Sequence, residues 1–173
     1  MKKALQLVLF LGIISLISGV AVGSVNSITE PIIQDNLLAS EITNLEAMYP
    51  GAEFTALEVT DDSGYIQGAY EVVGQGYVIK VQTTGYNTST PIIALVGFDS
   101  EGTITGLMAI QQQETDGFGT RVFEDEQVQS MYVGKGLSDT VDLLSGATVT
   151  STAVQSAISA AQVVVSSLIS LIG

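Results

Sequence analysis

The sequence predicts an α+β chain: an N-terminal transmembrane helix and stalk, then an antiparallel-sheet domain with a packed C-terminal helix. Three observations predict it. No charged residue falls between Lys3 and Glu30, short alternating runs broken by Gly- and Asp-rich clusters fill residues 54–112, and a charge-free segment with helical periodicity ends the chain. With 173 residues, part of them apolar anchor, there is room for one core and no more. The expected organisation is an anchor over 1–28, a stalk helix over 29–50 and an extracytoplasmic domain over 51–173.

The anchor comes first. Residues 4–25 would form a helix about 33 Å long, enough to span a hydrocarbon core of about 30 Å. Lys2 and Lys3 precede it and only acids follow closely, so the positive-inside rule places the N-terminus in the cytoplasm and the domain outside. A cleaved signal peptide, cut near the small residues Val20–Ser24, is the competing reading, although the apolar run exceeds the usual 7–15-residue core of such peptides. Ile32, Ile33, Leu37, Leu38, Ile42, Leu45 and Met48 then recur at helical spacing until Tyr49-Pro50-Gly51 ends the stalk.

Strands follow at Phe54–Thr60, Tyr65–Val73 and Tyr77–Thr83, and a second set at Ile92–Phe98 and Ile104–Gln112, which predicts two hairpins. Arg121–Tyr132 reads as one short helix and Gly134–Asp139 as a loop. In Ser151–Gly173, Val154, Ile158, Ala161, Val165, Leu168 and Ile172 share one face, with Gln155, Ser159, Gln162, Ser166 and Ser170 away from it. That pattern suits a helix lying on the sheet. A second membrane span is the weaker reading, because a lipid-facing helix should not carry so many Ser and Gln.

Composition excludes whole classes of chemistry. There is no Cys and no His, which removes disulfides, thiolate nucleophiles, iron–sulfur and haem–His ligation and most zinc sites. Redox work would need an organic cofactor. From Glu30 onward 18 acids face only Lys80, Arg121 and Lys135, a net charge of −15, so nucleic acid is not an expected partner. No Gly-rich nucleotide loop follows a strand, and no carboxylate pair invites an acid–base role.

The most specific signal is Asp142-Leu143-Leu144-Ser145-Gly146-Ala147-Thr148, a D-x-x-S-G-A-T string. Accident would place it in well under about one chain of this length in a thousand. It resembles the covalent-flavin acceptor of the RnfG family of Rnf electron-transport complexes and of the related NqrC family of the sodium-pumping quinone reductase. Other landmarks follow in the same order: Thr29-Glu30-Pro31-Ile32, Tyr49-Pro50-Gly51-Ala52, the hairpin in Pro91–Gly106, and Glu114-Thr115-Asp116-Gly117-Phe118-Gly119. Asp116 stands where the family usually has Pro, and Gln113 where a basic residue is common.

That resemblance implies FMN esterified through its phosphate to Thr148, installed by a separate flavin transferase. It also implies a role as one station of an Rnf-type ferredoxin:NAD oxidoreductase, with other Rnf subunits as membrane partners. Thr hydroxyls are weak nucleophiles, in keeping with an external enzyme. Gly146 and Ala147 allow close backbone approach, and Asp142 would fix the register of docking. Ser145, Val149, Thr150 and Ser151 sit at the start of the last helix, whose free N–H groups favour an anion. Glu114, Thr115 and Gly117 would face the flavin, unless their segment is only a tight turn. Arg121 would approach the ring or pair with a surface acid such as Glu114 or Glu124. An NqrC-like chain, a free-standing flavinylated carrier and a flavin-free pilin-like module remain the rival readings.

Overall fold

The computed structural model describes residues 10–12, 14, 15, 18 and 41–172. The described positions between 10 and 18 are helical, and most of the expected anchor and stalk lies outside the described residues. Two compact units divide the chain, Met1–Thr43 and Asn44–Gly173. The second holds the fold that follows.

Residues 41–48 are helical (α1), and the chain turns at Tyr49-Pro50-Gly51 as expected, because Pro50 has no N–H to extend the ladder and Gly51 takes φ +75°. Five strands come next: β1 Phe54–Leu57, β2 Ile66–Val72, β3 Gly76–Thr83, β4 Ile92–Asp99 and β5 Ile104–Gln111. They form one antiparallel sheet in the order β1-β2-β3-β4-β5. The two expected hairpins are therefore joined: β3 pairs with β4 along its whole length, from Gly76 opposite Asp99 to Thr83 opposite Ile92. The first strand stops at Leu57, three residues short of its predicted end at Thr60.

Strand periodicity sends the central strands' side chains to two cores. Tyr77, Ile79 and Val81 of β3 with Ala94, Val96 and Phe98 of β4 face one side, and Val78 and Leu95 face the other. The larger core is closed by α4 (Thr148–Ile172), through Val154, Ala157, Ile158, Ala161, Val164 and Val165. On the smaller side Leu45, 1 % exposed, packs with Val72, Val78 and Leu95. The globular unit thus reaches back before Gly51. Burial on both faces explains the nearly continuous apolar run Ile92–Phe98 of β4.

Two helices stand where one was expected. α2 (Arg121–Glu124) and α3 (Glu126–Tyr132) break at Asp125, whose backbone is extended and whose side chain accepts the Gln127 N–H at 3.0 Å as an N-cap. The expected helix from Ser151 begins earlier, at Thr148. By length and composition α4 is apolar enough to cross a membrane, yet one face of it is buried against the sheet. Gln162, assigned to its outer face, is instead 4 % exposed. Its amide donates to the carbonyls of Gly136 at 2.7 Å and Asp139 at 3.1 Å. Hydrogen bonding to the 136–139 loop outweighed the polar/apolar periodicity.

Candidate functional site

The D-x-x-S-G-A-T string folds into a turn that opens α4. Ala147 N–H bonds to Leu144 O at 3.0 Å, and Gly146 takes φ +85° at the third turn position, where an L side chain is disfavoured. Ser151 locks the turn to the helix: its hydroxyl accepts the Leu144 N–H at 3.2 Å and donates to Thr148 O at 3.2 Å. The first intrahelical bond is Ser151 N–H to Ala147 O, 2.8 Å. The amides of Thr148, Val149 and Thr150 therefore have no carbonyl one turn back and form the positive end of a 25-residue helix dipole. Thr148 is exposed, while Thr150 and Ser151 are buried.

Facing this turn are two segments that the sheet brings together from far apart in sequence. One is the 115–120 turn after β5, closed by Phe118 N–H to Thr115 O at 3.1 Å. Gly117 adopts φ +70° there, and its N–H bonds to Thr120 Oγ1 at 3.1 Å. The other is the β3–β4 connection at 84–91. Asn87 donates its side-chain amide to Gln113 O at 2.7 Å, and Thr90 its hydroxyl to the Gln113 side chain at 2.8 Å.

Between the three lies a cleft of about 470 Å³, within the size range of small-molecule sites. The turn that opens α4 and the start of the helix contribute Gly146, Ala147, Thr148, Val149 and Thr150; the opposite wall is Glu114, Thr115, Phe118 and Gly119, with Tyr86 at the rim. Ser145, which is exposed, and Gly117 lie outside the lining. Tyr86 and Phe118, 70 % and 56 % exposed, were not singled out from the sequence as site residues. Their signal was an aromatic side chain inside a polar, Gly-bearing loop. A second, more polar groove of about 720 Å³ carries Ser63, Thr83, Thr84, Thr152 and Ser156. Thr148 and Val149 line both grooves, so Thr148 stands on the ridge between them.

Arg121 does not line the cleft. Its guanidinium pairs with Asp125 at 3.1 Å, a different acid from the two considered for it. Held by that guanidinium and by the Gln127 and Val128 amides, the Asp125 carboxyl lies below its ordinary value of 3.8.

The sequence has counterparts among known proteins. Residues 85–162 match the family model described as FMN-binding domain. That span starts at the glycine before Tyr86 and ends at Gln162, so it contains every wall of the 470 Å³ cleft. Over 91 % of its length the chain is 28 % identical to the G subunit of the Na⁺-translocating ferredoxin:NAD⁺ oxidoreductase complex of Acetobacterium woodii, of which it covers 89 %. A solved structure, NqrC of Shewanella oneidensis, is 23 % identical with a TM-score of 0.46, covering 61 % of this chain and 62 % of that one.

Proposed function

We propose that this chain is the FMN-carrying, RnfG-type electron-transfer component of an Rnf-type ion-translocating oxidoreductase, with the FMN phosphate esterified to Thr148. The observation that carries this reading is the position of Thr148: exposed, first in α4, and on the edge of a cleft flanked by two aromatic side chains. Near-complete mutual coverage with the Acetobacterium protein supports the choice of complex.

The residues fit the group. An esterified phosphate on Thr148 would sit beside the free amides of the first turn, where the dipole favours an anion. Tyr86 and Phe118 offer apolar faces on which a planar ring stacks. Thr115 supplies a hydroxyl at the cleft wall. Gly146 leaves the turn without a side chain beside the attachment point. When bound, the flavin supplies the electron transfer; the chain supplies attachment, orientation and shielding.

Residues 1–28 anchor the domain, with the N-terminus in the cytoplasm and residues 51–173 outside, against the complex's integral membrane proteins. Maturation falls to a flavin transferase acting on Thr148, because neither His nor Cys exists to activate that hydroxyl. Coexpression with such an enzyme tests the reading. The denatured band should fluoresce under ultraviolet light in a gel, and Thr148→Ala should extinguish it while the far-ultraviolet circular dichroism persists. A dark parent band in a host that loads other acceptors would refute covalent attachment and favour a flavin-free surface module.

A further inference from the structure

We propose that Glu114 is a positioning residue whose buried carboxylate latches three separate segments into one cofactor cleft. The inference rests on the FMN reading above and goes beyond it, because the sequence suggested only that Glu114 touches the cofactor edge. Glu114 is 7 % exposed. Its Oε2 accepts the Tyr86 N–H at 3.1 Å and the Thr150 hydroxyl, and its Oε1 accepts the Asn87 N–H at 3.1 Å. One side chain thus holds the β3–β4 loop and the first turn of α4 against the 115–120 turn.

Packing leaves no slack around it. A Cβ on Gly85 would lie 2.6 Å from Oε1, and one on Gly119 would lie 2.8 Å from Oε2 and 2.9 Å from the Thr150 hydroxyl. Only glycines let both backbones close on the carboxylate. A buried charge persists when hydrogen bonds satisfy it, and here the donors are two backbone amides and a hydroxyl. Each oxygen accepts from the protein, so Glu114 orients a bound flavin through what it holds. Tyr86, whose ring is mostly exposed, takes its place from the amide bond to Glu114. Thr148 is presented outward because Thr150, two positions on, is pinned inward. The carboxylate also puts a negative charge in the cleft wall, which disfavours adding electrons to a ring bound there.

The test compares Glu114→Gln with the parent chain, both coexpressed with a flavin transferase and matched for covalent flavin by absorbance after denaturation. Gln presents an NH₂ where an oxygen accepted a hydrogen, so at least one strap breaks. The visible circular dichroism of the attached flavin should fall at least twofold. Its midpoint potential should rise by about 30 mV, a tenfold change for a two-electron couple. Thr150→Val, which removes one strap and keeps the carboxylate, should lower the dichroism with less effect on potential, and it decides the matter if Glu114→Gln does not fold. Parent-like dichroism in the folded variants overturns the latch. If the parent carries no flavin, the FMN reading fails and the latch is read in the bare chain: amide exchange at Tyr86 and Asn87 should quicken at least tenfold in Glu114→Gln while β3 stays protected. Unchanged exchange there overturns it.

Discussion

At the scale of single residues, the turn over residues 144–147 depends on Gly146. Its φ of +85° costs a side-chain-bearing residue roughly 1–2 kcal/mol, while the nearest atom to an added Cβ, on Phe118, is a tolerable 3.6 Å away. Gly146→Ala should therefore fold, lose about 1 kcal/mol in a urea titration, and slow flavin loading by tilting Thr148. Loading at the parent's rate would mean that the turn plays no part in presenting the hydroxyl. The D-x-x-S-G-A-T string stood out because it is local and consecutive, and the structure places Thr148 of it on a cleft. Tyr86 and Phe118 were not singled out, since they come to line the same cleft as Thr148 only after the meander closes. Glu114 was legible as a residue but not in its role, because three donors converge on it from the 86–87 loop and Thr150, and no local pattern announces that. Of the two readings of Arg121, an approach to the ring or pairing with a surface acid, the structure shows the pairing, with Asp125 one turn away rather than Glu114 or Glu124.

Elements were read more surely than their pairing. Alternation and turn clusters located all five strands, yet the β3–β4 ladder spans the polar segment 84–91, where no tight-turn signal joins the strands. Within α4 the periodicity located Val154, Ile158, Ala161 and Val165 on the buried face, and Ile158, at 1 % exposure, sits amid them. Ile158→Ala should cost about 2–5 kcal/mol, seen as a lower denaturant midpoint with an unchanged slope. Gln162→Leu leaves the Gly136 and Asp139 carbonyls without their donor, at about 1–3 kcal/mol, and should speed amide exchange across residues 136–141. Equal exchange in parent and variant would show that the loop stands without its strap. At the α2–α3 junction the sign of the pH effect is set by Asp125. Its folded value lies below 3.8, so the contribution is present above 3.8 and fades as pH falls through the folded value. A carboxyl NMR titration should give a midpoint under 3.8 in the parent and closer to 3.8 in Arg121→Gln.

For the whole molecule, charge asymmetry and an absence of cysteine combine into a direct measurement of orientation. Two lysines precede the apolar stretch, and 18 acids follow with three cations among them. Moving the acidic portion across the bilayer while holding Lys2 and Lys3 back satisfies the positive-inside rule; the opposite arrangement would carry both lysines outward. Because the sequence contains no Cys, one introduced thiol reports without background. Ser100 is exposed in the β4–β5 turn, remote in sequence from the acceptor string. Ser100→Cys should react with a membrane-impermeant maleimide in intact cells, as fast as after permeabilisation. Labelling only after permeabilisation would place the domain in the cytoplasm. Release of the labelled domain from washed membranes, with its N-terminus falling within or just after Val20–Ser24, would instead favour cleavage there. Retention together with outside labelling would support the anchored, outward-facing arrangement proposed above.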